Sequence, residues 1–357
     1  MENFNLKYFL AANSCEGFLS CFSDSYSKEK GWKAYIIKGG PGTGKSSFMK
    51  YLAAAADKRD IKCLLCPCSS DPNSLDAVIF PEKKAVILDG TAPHTVDPVY
   101  PGVCEQILNF GTFWHEEAFS ASGEEIISLT DRNKALHKAA SRYMQAAGQL
   151  MTDNLKNAAA CTDKIKAERF AVGLCRKMIP KTAAKPSEQV RFLCGITPKG
   201  VVSYAETALK ETEKTVIIED EYGAAANIIM RKIREWALDG GYSIITVKNA
   251  FLPSKLIDHI IIPELSLSFV REYDYQHFSS DSRRIHARRF MSAKQLSRSR
   301  ERMKFNKKAI RQLLLSAVTV LSQAKKVHDE LEKHYISAMD FEALTAFAKD
   351  FSERLFG

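Results

Sequence analysis

The chain has 357 residues, with 51 Lys and Arg against 42 Asp and Glu, a net charge of +9. That length suits two domains, each able to bury its own core, and nine cysteines, odd in number and unevenly placed with none beyond Cys194, are a poor pattern for a disulfide framework. No window of about 18 residues is uniformly apolar, and the opening MENFNLKYFLAANS lacks a basic segment followed by an apolar core, so the chain is expected to be cytoplasmic and without membrane contact.

In chain order, Tyr8-Phe9-Leu10 begins an apolar segment that passes through Gly17-Phe18, and Ala34 to Ile37 then reads as a short buried strand. It leads into Gly39-Gly40-Pro41-Gly42-Thr43-Gly44-Lys45-Ser46, which fits G-x-x-x-x-G-K-[ST] and resembles the Walker A loop of P-loop NTPases. Glycines let successive backbone N–H groups turn inward around phosphate oxygens, the following helix adds the positive end of its dipole, and the nucleotide-binding run is expected to extend to Ser47. Lys45 is expected to reach the β and γ phosphates and the Ser46 hydroxyl to bind Mg²⁺. About one chain in a hundred of this length would match the pattern by accident, and the strand before it lowers that chance further.

Cys63, Cys66 and Cys68 cluster, but KCLLCPC reads as a strand in which cysteine serves as a small apolar residue. The loop Ser69 to Asp76 follows; Asp71 and Asp76 are candidates to orient a water or accept a proton, or else to cap the next helix. Ala85 to Leu88 forms an apolar strand ending in Asp89, which after a Walker A resembles the Walker B carboxylate that supports Mg²⁺. In the loop beyond it Thr91 is placed to meet the γ-phosphate, and His94 to contact substrate or order the loop.

A long helix is expected from Glu124 to Ala160, its stripe formed by Leu129, Leu136, Tyr143 and Leu150, seven apart, with alanines and Met144 between them. The pattern then begins again. Phe192-Leu193 and Gly200-Val201 match Phe9-Leu10 and Gly17-Phe18 at constant offset, and Thr215 to Ile218 takes the place of the strand before the glycine loop. In this copy the loop reads Glu219-Asp220-Glu221-Tyr222-Gly223-Ala224-Ala225-Ala226-Asn227, so Ala226 replaces the lysine and three carboxylates oppose an anionic ligand. The counterpart of Asp89 is lost in a strand that runs on into Arg271. A second helical stripe includes Ile310, Leu314, Ala317 and Leu321, Ser337-x-x-Asp340 suggests a fresh helix start, and Thr162 or Asp163 would mark the corresponding break in the first tail.

The fold expected is therefore α/β: two tandem P-loop-like parallel-sheet domains, 1–183 and 184–357, with helical hairpin tails over about 103–178 and about 275–357. The basic stretch Arg283 to Arg311 opens the second tail. It reads either as an intramolecular contact in a pseudo-dimer of the two halves, facing Glu116, Glu117, Glu124 and Glu125, or as a site for nucleic acid or another polyanion.

Together KGGPGTGKS, CSSDPNSLD and ILDGTAPH, followed by the second strand-loop-helix, resemble an uncharacterised bacterial family of two-repeat P-loop ATPases over nearly the whole chain. The resemblance implies an Mg²⁺-dependent ATP-binding protein and ATP hydrolase. Members often keep a glycine-rich loop in both halves, and this chain departs from that at Asp220 to Asn227. A phosphotransferase and an ATP-gated nucleic-acid-binding or scaffold module are the alternatives. The absence of an N-K-x-D-like guanine motif favours ATP. Arg283 and Arg284, ahead of Arg271, are candidates for an arginine finger reaching the first site from the second half, the alternative being that they are solvated surface.

Overall fold

The computed structural model describes residues 6–28, 31–92, 95–182 and 184–357. In the first half β1 (Leu6–Lys7) precedes a hairpin of β2 (Ala11–Ser14) and β3 (Gly17–Ser20), and β4 (Lys33–Lys38) runs through the glycine loop into α1 (Lys45–Asp57). Next come β5 (Leu64–Pro67), β6 (Leu75–Phe80), β7 (Ala85–Asp89) and β8 (Glu105–Asn109), then the tail helices α2 (Gly123–Ala160) and α3 (Lys164–Met178). The second half supplies β9 (Glu188–Arg191), the hairpin of β10 (Cys194–Thr197) and β11 (Gly200–Ser203), α4 (Glu206–Lys210), β12 (Lys214–Glu219) and α5 (Ala224–Asp239). It continues with β13 (Ile244–Lys248), β14 (Ile257–Ile262), β15 (Leu267–Glu272), β16 (Arg283–His286), α6 (Ala293–Arg298), α7 (Arg300–Ala338) and α8 (Phe341–Phe356).

The sheets have the orders β1-β5-β6-β7-β4-β8 and β9-β13-β14-β15-β12-β16, the same topology strand for strand. The sequence repeat is a repeat of fold. The sheets are mixed rather than parallel, because β6 and β14 run antiparallel to both of their neighbours. The short turn at residues 81–84 explains this: it closes a hairpin, whereas a parallel pair needs a crossover of roughly a dozen residues or more. β4 lies between β7 and β8 and runs parallel to both, which leaves the glycine loop at the carboxyl ends of three parallel strands.

The tails begin later than expected, since β8 and β16 come first, and they do not form separate hairpins. α2 and α7 instead pair with each other, antiparallel, as contacts of Asp153 with Arg302, Asn133 with Ala324 and Glu125 with His334 show. Beyond a break in each tail the last helix crosses to the other half. α3 completes the second core through Ala167, Ala171 and Leu174, while α8 completes the first through Leu344, Ala348 and Phe351, which packs on Tyr35 and Phe48.

This exchange has approximate two-fold symmetry. Phe9 and Phe192 hydrogen-bond each other through main-chain N–H and C=O at 2.8 and 3.0 Å. Asp163 N–H donates to Phe290 O and Asp340 N–H to Phe113 O, each at 2.7 Å, so each break is tied to the segment after the other half's edge strand. No described helix is long and apolar enough to cross a membrane.

Candidate phosphate-binding site

β4 delivers the chain into Gly39–Gly44, and α1 carries it away. Gly42 and Gly44 have φ of +70° and +83°, a region that favours glycine and turns the backbone tightly over the start of α1. Thr43 Oγ1 donates to Gly40 O at 2.8 Å and pins the loop from within. Lys45 Nζ donates to Gly40 O at 2.6 Å and to Gly39 O at 3.3 Å, folding back across the loop mouth. Its ammonium lies 3.6 Å from Asp89 Oδ2, and the two side chains keep 11% and 15% exposure. The strand-end carboxylate expected from sequence is thus beside the loop lysine.

Asp89 Oδ1 accepts from the N–H and hydroxyl of Thr91 at 2.9 and 2.5 Å, which fixes the carboxylate and leaves Oδ2 toward Lys45. Ser46 Oγ accepts the Leu75 N–H at 3.0 Å, and Ser47 is exposed on the next position of α1. Magnesium carried on a triphosphate asks the protein for one hydroxyl and a carboxylate acting through water, and Ser46 and Asp89 fit that need. Among the described residues no group of three or more His, Cys, Asp or Glu is arranged to hold a metal. Cys63 and Cys66 lie buried in core positions. His94 lies outside the described residues.

Asp71 and Asp76 do not cap a helix, because the segment that follows is the fully buried strand β6. Asp71 instead closes a turn, accepting from Asn73 N–H at 3.1 Å and Ser74 Oγ at 3.0 Å, and faces Lys325 of α7. Burial opposes its ionisation, but the Asn73 N–H, the charge of Lys325 and Ser74 outweigh it and hold the carboxyl below its usual range. Asp76 is buried within β6.

The second loop shows what the same architecture does without the lysine. Asp220 Oδ1 accepts from Tyr222 N–H at 3.2 Å and Gly223 N–H at 2.9 Å, while Oδ2 accepts from Ala225 and Ala226 N–H at 2.9 Å each. A side-chain carboxylate therefore occupies the nest of N–H groups at the start of α5. Of the three acids only Asp220 turns inward; Glu219 pairs with Arg284, and Glu221 with Lys307. Arg271 lies opposite Ile218 as Asp89 lies opposite Ile37, so a cation stands where the first half has its carboxylate. It donates to Asp220 O at 2.8 Å, Glu221 O at 3.1 Å and Asp258 Oδ1 at 2.9 Å, and locks the loop. Asn227 Oδ1 takes the Ile257 N–H at 3.1 Å, the bond that Ser46 makes to Leu75. A cavity lined by Tyr222, Phe251, Tyr273, Tyr275 and Lys307 adjoins this loop.

The second half covers the first loop through its tail. A methyl group on Gly40 would lie 2.3 Å from the Tyr335 ring, one on Gly42 2.7 Å from Glu332 O, and one on Gly44 2.8 Å from Leu344. Sequence reasoning missed Glu332, Tyr335 and Leu344, because nothing local marks a tail as belonging to another half. Among the described residues the basic stretch makes no ion pair with Glu116, Glu117, Glu124 or Glu125, and Glu125 pairs instead with His334. Arg302 pairs with Asp153, Lys307 with Glu221 and Asp274, and Arg284 with Glu219 and Glu272. Arg284 is therefore held beside the second loop and is not presented to the first, which removes it as a finger. Comparison with protein-family models, with curated proteins and with solved structures finds no match.

Proposed function

We propose that the first half binds Mg-ATP at Gly39–Ser46 and hydrolyses it, and that the second half binds no nucleotide. The observation that carries this reading is the contrast between two loops of one topology. In the first a lysine and a carboxylate meet at 3.6 Å beside the glycine loop, and in the second Asp220 fills the nest. Lys45 would hold the β and γ phosphates by charge-assisted bonds, and the loop N–H groups would surround their oxygens. Ser46 and Asp89 would hold Mg²⁺, whose chemistry is to offset charge on the phosphates.

Titration calorimetry with Mg-ATP tests the reading. One nucleotide per chain is expected, with Lys45→Ala weakening affinity by about tenfold or more, since every tenfold is about 1.4 kcal/mol and a charge-assisted contact exceeds that. Unchanged affinity in Lys45→Ala, or two nucleotides per chain, would refute it.

A further inference from the structure

Asp71 and Lys325 belong to different halves and meet at 3.4 Å, between the loop after β5 and the flank of α7. A short line of contacts joins them to the glycine loop. Lys325 faces Asp71 Oδ2, which accepts the Ser74 hydroxyl at 3.0 Å, and the neighbouring Leu75 N–H donates to Ser46 Oγ at 3.0 Å. Glu332 lies seven positions beyond Lys325, about two helical turns, and its main chain packs on Gly42 while Tyr335 packs on Gly40. The face of α7 that carries Lys325 is thus the face that covers the glycine loop. Asp329, one turn on, is the second partner of the same ammonium, which keeps 25% exposure.

Phosphoryl transfer spreads charge over the oxygens of the transferred group, and a cation delivered from a neighbouring domain stabilises that charge. Arg271 and Arg284 are fixed at the second loop by Asp258, Glu219 and Glu272. Lys325 is held otherwise, by two carboxylates on a flexible four-carbon stem, and can exchange one anionic partner for another.

We propose that Lys325 is the cation that the second half supplies to the first half's phosphate site. It is paired with Asp71 and Asp329 as seen here, and turns to the terminal phosphate of a triphosphate seated in Gly39–Ser46. The inference rests on the nucleotide reading above. In the step it assists, a water oxygen bonds to the γ-phosphorus as the bond to the bridging β–γ oxygen breaks. The products are the diphosphate and inorganic phosphate, the water proton passes to phosphate or solvent, and Lys325 stays protonated.

The test uses the full chain with Lys325→Ala, Lys325→Arg and the neighbouring Lys326→Ala as control. Single-turnover hydrolysis, calorimetric affinity for Mg-ATP and thermal unfolding are measured on each. Lys325→Ala is expected to slow hydrolysis by about tenfold or more with affinity within about threefold of wild type, and Lys325→Arg to recover part of the rate. Hydrolysis unchanged in Lys325→Ala overturns the inference. A loss that follows lost folding or affinity, and that arginine does not restore, overturns it in favour of a packing role. Wild-type protein that binds Mg-ATP without turning it over overturns this inference together with the hydrolysis proposed above but leaves the binding site standing, whereas wild type that binds none overturns the nucleotide reading beneath it.

Discussion

Arg271 and Asp258 form a pair with 3% and 0% side-chain exposure, and the Tyr273 hydroxyl and Asn249 amide also donate to the carboxylate. Truncating one member strands the other charge away from water. Arg271→Ala is expected to lower unfolding free energy by about 3–5 kcal/mol, whereas Arg284→Ala at a pair open to solvent costs about 0–1 kcal/mol; urea unfolding separates them. Beside this pair, His259 Nδ1 accepts the Arg271 N–H at 3.1 Å, which leaves Nε2 to donate to Gln276 Oε1 and keeps the ring neutral. Burial pushes its pKa down to about 4, below the unfolded value of about 6.5. The unfolded chain therefore takes up the proton first, and stability present above about pH 6.5 is lost as pH falls toward 4, by on the order of 3 kcal/mol. His259→Gln should flatten that slope in urea unfolding measured at pH 7 and pH 5. The meeting of Lys45 with Asp89 beside Ser46 was legible because motif spacing encodes that geometry. Asp220 was legible as repulsion but not as the group that fills the nest, which depends on how its backbone turns. Lys325 sits in a charged helical run and carries no local mark at all.

The tail breaks followed from the sequence through capping chemistry. Asp163 Oδ1 accepts from Lys166 N–H and Asp340 Oδ1 from Ala343 N–H, each at 2.9 Å, whereas Ser337 stays inside α7 and donates to His334 O. Each of Asp163→Ala and Asp340→Ala should cost about 1 kcal/mol in urea unfolding. The apolar seam of α2 was read only in part. The stripe through Leu129, Leu136, Tyr143 and Leu150 is only half-buried or exposed, and the seam against Ile310, Leu314 and Ala317 of α7 is made by Ala140, Met144 and Ala147. Alanines let two helices approach closely, but they contribute little to a hydrophobic pattern, so the larger side chains seven apart dominated the reading. The face of α7 was read correctly because Ile310, Leu314 and Leu321 are large as well as buried. Periodicity gives a helix its apolar side without saying which core that side will meet.

At the scale of the whole molecule the exchanged tails mean that a boundary near residue 183 divides the sequence repeat but not the folded cores. Fragments 1–183 and 184–357 are each expected to lack a stable fold alone, since Phe48 and Phe110 lose the cover of Phe347 and Phe351, and α5 loses that of α3. Mixed during refolding they should restore one cooperative thermal transition, which circular dichroism would show; a stable transition from 1–183 alone would contradict the exchange. The repeat told of two equivalent units, and equivalence is silent on whether each unit keeps its own tail. The pairing of α8 with the first core also sets a timetable. Arg59 and Glu353 touch across 294 positions of chain, and at synthesis rates of about 5–20 residues per second the end of α1 waits roughly 15–60 s for its partner on α8. Throughout that interval the nascent chain presents a bare aromatic face around Phe48 and Phe110. Birth of the glycine loop and completion of the core behind it are therefore separated in time, because the cover for that apolar surface is the last helix of the chain.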